Sequence, residues 1–268
     1  ASNIDSILLF PKLFNENAFV NLRSNVYKMN LVIDIGNTYF KLAVFSKDDV
    51  FGFHHDKNKN FESSIVKTLK SYSKIKKTIV SNVSEINHEL LFKNYKIDFL
   101  NVSNELNLPF KNLYETPKTL GSDRIAVISS AVFHHPDRNS LIIDAGTCLT
   151  IDLINDKNQY CGGMISPGIN LRYQSLNKMT SNLPLVGKSG EYSFPSKSTV
   201  GCIHSGVIGG IVNEINGFID EVKGNNKKIN IILTGGDANF LSKPLKIPIF
   251  ADPIFILKGL NNILALNS

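Results

Sequence analysis

Hydrophobic and polar positions divide the chain at Met29. Residues 1–28 are Asn-rich and weakly periodic. After them, Leu31 to Phe45, LVIDIGNTYFKLAVF, places two apolar runs on either side of Gly-Asn-Thr, the pattern of two buried strands joined by a tight turn. Val50 to His55 predicts a third strand, and Phe61 to Tyr72 a helix with Phe61, Ile65, Val66 and Leu69 on one face. Lys77 to Ser81 then predicts a strand, Glu85 to Lys93 a helix and Ile97 to Val102 a strand. Ser103 to Gly121 is polar, contains Pro109 and Pro117, and reads as a connection of a length that usually serves function. A helix follows from Ser122 to about Phe133, opened by Ser-Asp and carried by Ile125, Ile128 and Val132.

At Leu141 the opening pattern returns. Leu141 to Ile154, LIIDAGTCLTIDLI, aligns Asp144 with Asp34 and Gly146 with Gly36, and a Thr follows each Gly. Gln159 to Ile165 predicts the next strand and Gly168 to Met179 a helix. Ser181 to Ser198, with Gly187, Gly190 and Pro195, predicts a mobile loop. Thr199 to Val222 reads as a long helix, Ile229 to Leu233 as a strand and Pro253 to Leu266 as a closing helix. Three strands followed by alternating helix and strand, stated twice, define an α/β chain of two similar halves. The expected division is 29–121 for the first half and 122–268 for the second, with residues 1–28 an N-terminal extension or a tag remnant outside the fold.

Composition narrows this picture only a little. The 268 residues are 43% hydrophobic, enough for a substantial core, and Lys plus Arg outnumber Asp plus Glu by 29 to 23, giving a net charge of +6. The basic residues are scattered, with short clusters such as Lys74, Lys76 and Lys77, so a solvated surface accounts for them better than a nucleic-acid footprint. Cys148, Cys161 and Cys202 form no CxxC pair and read as buried thiols of a reducing cytoplasm. No apolar run reaches the roughly 18 to 20 residues that span a bilayer, and the apolar stretch Ile7 to Phe10, followed by Pro11, is too short for a signal-peptide core. His54-His55 and His134-His135 lack carboxylate partners at useful spacing and are assigned no role.

The candidate chemistry lies in the turns. A strand ending in Asp and followed by a glycine turn brings backbone amides and a carboxylate to one place, which suits a phosphate and its cation. Two such turns facing one another would clamp a nucleotide's phosphates, and Lys41 adds a cation beside the first. One copy alone reads equally well as a capped hairpin. Gly235-Gly236, inside ILTGGDANF, and Gly162-Gly163 with Pro167-Gly168 are further places where backbone can approach a ligand, although each alone is also an ordinary turn or bulge. In Gly121-Ser122-Asp123-Arg124 the bland reading is a capping Asp and a salt-bridged Arg. The sharper one is a general base, Asp123, beside a guanidinium fork.

Taken in order, Asp34-x-Gly36-Asn37-Thr38, Gly121-x-Asp123-Arg124, Asp144-x-Gly146-Thr147, Gly162-Gly163-x-Ile165-x-Pro167-Gly168, Ser198-Thr199 and Thr234-Gly235-Gly236-Asp237-Ala238 resemble the motifs of the type III pantothenate kinases, from Met29 onward. That resemblance implies a duplicated ribonuclease H-like, actin-like ATPase fold with two βββαβαβα-type halves around an ATP cleft. It implies ATP-dependent phosphorylation of pantothenate to 4'-phosphopantothenate, the first step of coenzyme A biosynthesis. By the same resemblance Asp34, Ile35, Gly36, Asn37, Thr38, Tyr39, Phe40 and Lys41 line the ATP phosphates, with Thr147 from the second turn. Asp123 is the proton acceptor; Tyr114, Gly121, Ser122, Asp123, Arg124 and Thr199 contact pantothenate. Asp144 holds a monovalent cation, potassium or ammonium, and Asp34 manages Mg²⁺, directly or through water. The resemblance also implies a cytoplasmic homodimer whose substrate pocket is completed by the neighbouring subunit, with no membrane or nucleic-acid partner.

Cys148 and Leu149 depart from the small residues and Thr more usual in the second turn, with an expected effect on packing behind the phosphates. Two other readings keep the scaffold: a non-catalytic transcriptional activator or regulator, and a kinase or phosphatase for another small molecule. The Gly-Ser-Asp-Arg set argues against the first, since a binding module needs no base, and together with Tyr114 against the second.

Overall fold

The structure, a computed structural model, describes residues 28–225, 228–245 and 252–268; the expectation for the N-terminal segment therefore falls outside the described residues, apart from Lys28. The first half is built on β1 (Met29–Ile35), β2 (Tyr39–Ser46), β3 (Asp49–Lys57), β4 (Ile75–Asn82) and β5 (Leu100–Asn101), with α1 (Phe61–Ser71) and α2 (His88–Asn94). Its sheet has the order β3-β2-β1-β4-β5, with β1, β2 and β3 antiparallel neighbours and β4 and β5 parallel to β1.

The second half repeats the plan with β7 (Ser140–Ala145), β8 (Cys148–Ile154), β9 (Gln159–Pro167) and β10 (Asn230–Thr234) in the order β10-β7-β8-β9. Its fifth strand is β6 (Lys111–Asn112), which lies parallel to β9. The connection Ser103 to Gly121 thus reaches across to the other sheet, which its polar sequence gave no means of seeing. The second half's helices are α4 (Ile169–Lys178), α5 (Thr199–His204), α6 (Gly210–Asn225) and α7 (Ala238–Leu245). The expected long helix is interrupted between α5 and α6 by a π-helical turn, Ser205–Gly209.

Alternation along the strands sets the layers. Leu31, Ile33 and Ile35 point to the outer face of the first sheet and pack with Phe61, Ile65 and Phe92. Leu141, Ile143 and Ala145 do the same in the second, against Ile169, Ile208 and Ile215. The opposite faces, represented by Val32 and Ile142, meet a shared layer made of α3 (Ser122–His134) and α8 (Phe255–Leu266). These two helices cross tightly at Gly259, where a Cβ would stand 2.1 Å from the Ala126 carbonyl oxygen. Ser130 Oγ donates to the Phe255 carbonyl at 2.6 Å close by. Although α8 closes the chain, it packs against β1, β2 and β4 of the first half.

Most predicted elements stand within a few residues of their expected places. The strand expected from Ile97 to Val102 is reduced to Leu100–Asn101, and α2 starts at His88 because Asn87 caps it, its side chain accepting from Leu90 N at 3.0 Å. The cysteines correct the reading of buried thiols: all three are exposed and unpaired. Cys148 opens β8 at the rim of a turn, Cys161 lies on a solvent-facing position of β9, and Cys202 sits on the outer side of α5. Among the described residues no helix is long and apolar enough to cross a membrane.

Candidate active site

Because side chains alternate along a strand, Asp34 shares the inner face with Val32, and Asp144 shares it with Ile142. Both aspartates therefore look toward the start of α3. Each stands at the last turn of its strand, and the parallel neighbour sets a hydroxyl residue opposite: Ser81 of β4 is in register with Asp34, and Thr234 of β10 with Asp144. From there Ser81 works to lower the pKa of Asp34. Neither pairing was evident from the sequence, although a hydroxyl residue ending an apolar strand beside a motif strand is a usable signal.

The two turns are related but unequal. Gly36 N donates to the Tyr39 carbonyl at 3.0 Å, and Gly146 N to that of Cys148 at 2.9 Å, so the second turn is one residue shorter. Each is braced by the end of the third strand of its half. Asn58 Nδ2 donates to the Gly36 carbonyl at 2.8 Å, and Gly168 N donates to the Thr147 carbonyl at 3.1 Å. Gly168 must lack a side chain, since a Cβ there would fall 2.3 Å from the Gly146 oxygen. Gly235 has φ +97, and its Cβ would lie 2.4 Å from both the Ala145 oxygen and Asp144 Oδ1, so the Gly-Gly turn passes directly over the second carboxylate. Asp237 N continues the contact, donating to the Ala145 carbonyl at 2.8 Å.

Among the residues proposed to line ATP, Asn37, Thr38, Tyr39 and Thr147 are exposed on the turns and Gly36 and Lys41 half-buried. Ile35 and Phe40 are fully buried in the outer core, so only their main chain can face a ligand. Leu149 is likewise plain core of the second half. Cys148, in contrast, is close enough to Asp123 and Asp144 for both to push its thiol up after burial does so.

Burial dominates the electrostatics. Asp34 is pushed up to about 6, mainly by desolvation, with Lys41 and Ser81 opposing and Asp123 adding to the rise. Asp144 is pushed up to about 7 by the same desolvation and by Asp123, Asp34 and Asp152, again opposed by Lys41. Asp34 Oδ1 is buried and has no hydrogen-bond partner. Buried carboxylates held this far from ionisation lack positive charge, and hard cations take oxygen ligands of this kind. The donor set therefore fits a cation, although no cluster of three or more His, Cys, Asp or Glu side chains lies together among the described residues.

Asp123 stands in the first turn of α3, raised by burial against the pull of Arg124 and of backbone amides. Its Oδ1 accepts from Arg124 N at 2.7 Å. Gly121 makes room for this, because a Cβ there would lie 2.5 Å from that oxygen. Ser122 Oγ accepts from Ser81 Oγ and from Asn82 N, both at 3.1 Å. The Arg124 guanidinium is turned inward to Asp152 and Tyr160, which sequence reasoning missed; an Asp inside the apolar run LTIDLI is the signal that such a partner must exist. Tyr114 is half-buried and stacked on Tyr160, with ring centroids 5.8 Å apart. Thr199 is exposed at the start of α5, where Ser198 caps the helix by accepting from Gly201 N at 3.1 Å. Within the loop Ser181 to Ser198, Lys188 Nζ lies 2.6 Å from Asp237 Oδ1 and 4.8 Å from the Phe240 ring centroid.

Comparison with known proteins gives consistent results. A family model described as type III pantothenate kinase matches residues 30–221. A type III pantothenate kinase of Flavobacterium psychrophilum is 45% identical over 237 residues, 88% of this chain and 98% of the relative. One from Christiangramia forsetii is 44% identical over 242 residues, 89% of this chain and 99% of the relative. Among solved structures, a Baf-family protein of Campylobacter jejuni described as a transcriptional activator is similar, with a TM-score of 0.59 and 23% identity over 88% of this chain and 97% of the other. The activator of 2-hydroxyisocaproyl-CoA dehydratase from Clostridium difficile, solved with bound ADPNP, has a TM-score of 0.53 and 14% identity over 90% and 94%. At these identities the structural likeness speaks for the fold, the actin-like ATPase architecture.

Proposed function

The chain belongs to the type III pantothenate kinase family, and from that premise we infer that it transfers the γ-phosphoryl group of ATP to the hydroxyl of pantothenate, forming 4'-phosphopantothenate on the route to coenzyme A. The observation that carries the reading within this chain is Asp123, on the first turn of α3, electrostatically coupled to the aspartates of both glycine turns. Phosphoryl transfer asks mainly for positioning and charge neutralisation. A carboxylate raised by burial, within reach of the acceptor hydroxyl, is suited to take its proton as the bond to phosphorus forms.

The assignments within the site are our proposal. The main chain of Asp34 to Lys41, the Lys41 ammonium and Thr147 hold the ATP phosphates; Asp34 manages Mg²⁺, and Asp144 a potassium or ammonium ion. The orphaned oxygen of Asp34 and the raised pKa of Asp144 support both positions. Bound there, the cations supply the positive charge that offsets the charge developing on the transferred group. Tyr114, Gly121, Ser122, Asp123 and Thr199 take pantothenate, and Arg124, whose guanidinium is committed to Asp152 and Tyr160, contributes by holding Asp123. We place the start of the second half before β6, which joins its sheet, rather than at Ser122, and place the reaction in the cytoplasm, where ATP and pantothenate meet.

A homodimer that completes the pocket is supported by apolar side chains that the second half leaves exposed: Ile165 (63% exposed), Met179 (83%), Leu185 (66%) and Phe194 (92%). The deciding experiment is transfer of label from γ-labelled ATP to pantothenate by the purified chain, with Mg²⁺ and potassium or ammonium present. Phosphopantothenate is the expected product, and its absence under those conditions overturns the reading.

A further inference from the structure

Asp152 lies in the middle of β8 with a side chain that is fully buried. A carboxylate in such a place needs a partner. Nε and Nη2 of Arg124 both donate to Asp152 Oδ1, at 3.1 and 2.7 Å. The Tyr160 hydroxyl of β9 donates to the same oxygen at 2.8 Å and accepts from Arg124 Nη2 at 2.6 Å. Gly163, opposite Asp152 in the β8–β9 pairing, gives the guanidinium its room: a Cβ there would stand 3.0 Å from Nη2 and 2.0 Å from the Ile151 oxygen. The guanidinium carbon also lies 5.7 Å from the Tyr114 ring centroid and 5.9 Å from that of Tyr160. Burial works to strip Arg124 of its charge, and the Asp152 carboxylate overcomes it, so the pKa of Arg124 is raised.

Stability does not account for so elaborate a pairing, since a buried ion pair is often matched or bettered by well-packed apolar residues. Its position along the chain does. Three consecutive residues face three ways. Ser122 is bonded to Ser81 and Asn82 of the first sheet, Arg124 to Asp152 and Tyr160 of the second, and Asp123 lies between them. Arg124 also grips Asp123 itself, its main-chain N–H donating to Oδ1 at 2.7 Å while its side chain is held 28 residues further along. Whatever shifts Arg124 therefore shifts the Asp123 carboxylate.

We propose that Asp152 and Tyr160 are positioning residues for phosphoryl transfer: they clamp Arg124 to the second sheet and so fix the first turn of α3, presenting Asp123 to the acceptor hydroxyl in one place. The proposal rests on Asp123 as the proton acceptor. Asp152 and Tyr160 act only through Arg124. A misplacement on the order of 1 Å at a reacting group can cost about 10²-fold in rate.

The test is steady-state kinetics of the full chain with ATP and pantothenate, for D152N, Y160F, R124M, the double variant R124M/D152N and D123N, with thermal unfolding to verify that each is folded. D152N is expected to lower kcat by about 10- to 10²-fold while leaving the KM for ATP within about twofold, and Y160F to do the same more weakly with its ring packing kept. D152N is expected to cost nothing further once Arg124 is Met, because its route to Asp123 is already cut. Wild-type kcat in folded D152N or Y160F overturns the proposal. So does an equal loss from D152N with and without Arg124, which would make Asp152 an independent structural residue. If D152N does not fold, Y160F decides alone. D123N separates the two readings: near-normal turnover there removes Asp123 as the base, whereas an inactive D123N beside a normal D152N removes only the clamp.

Discussion

Asp34 faces Lys41 across the first hairpin, whereas its counterpart Asp144 faces Thr150 across the second. The duplicated motif thus carries a cation in one copy only, and Lys41 serves both carboxylates, lowering the pKa of each. A phosphate between the turns would meet its protein charge from the first half.

K41M tests that asymmetry. A charge-assisted contact is worth about 1.5–3 kcal/mol, so kcat/KM for ATP should fall by roughly 10- to 10²-fold while equilibrium binding of pantothenate alone stays within a few fold. Unchanged ATP kinetics would remove Lys41 from the phosphate site.

Replacing Asp123 by Asn keeps its size and removes the proton acceptor. The expected loss in kcat is about 10²- to 10⁴-fold, with ATP binding by calorimetry and the unfolding temperature close to wild type. A variant that turns over normally would require another base.

Gly235 and Gly236 are neighbours with opposite expectations. G235A brings a Cβ to 2.4 Å from Asp144 Oδ1 at a φ of +97, whereas nothing lies within 4 Å of a Cβ on Gly236. G235A should therefore abolish most activity and lower the unfolding temperature, and G236A should stay close to wild type in unfolding temperature. Equal thermal stability of the two variants would contradict the close passage over Asp144.

The two raised carboxylates predict an inverted pH response. Asp34, at about 6, and Asp144, at about 7, hold protons in the folded chain that they release in the unfolded one. Their contribution to stability is complete below the ordinary carboxylate range and is lost as pH rises through those values. In the absence of added cations the unfolding temperature should fall between pH 5 and 8, and less so in D144N. Mg²⁺ with potassium should restore it at pH 8 in the wild type more than in D144N. Scanning fluorimetry across that range, with and without the salts, decides; parallel curves for the two proteins would count against a cation at Asp144.

Much of this was legible in the residues themselves. The strand-Asp-Gly pattern of Asp34 and Asp144 survives because a buried strand, a tight turn and a second buried strand leave an unmistakable apolar period, and its recurrence located both halves. Asp123 was readable from its place at a helix start between the two copies. What escaped are relations between distant segments: Ser81 and Thr234 set opposite the aspartates by parallel pairing, Asn58 bracing the first turn, and β6 crossing to the second sheet. For Arg124 the plainer expectation, a salt bridge, is what the geometry contains. The cysteines misled because apolar character was taken as burial, while their positions at a turn rim, on a solvent-facing strand position and on an outer helix face expose them.

The helix α8 has a consequence for how the two halves depend on each other. It covers the inner face of the first sheet, packing on β1, β2 and β4, so the first half does not close its core with its own consecutive segments. The first half thus takes part of its core from a helix that follows the whole of the second sheet in sequence. Loss of α8 would uncover the inner face of the first sheet and the side of α3 that it covers.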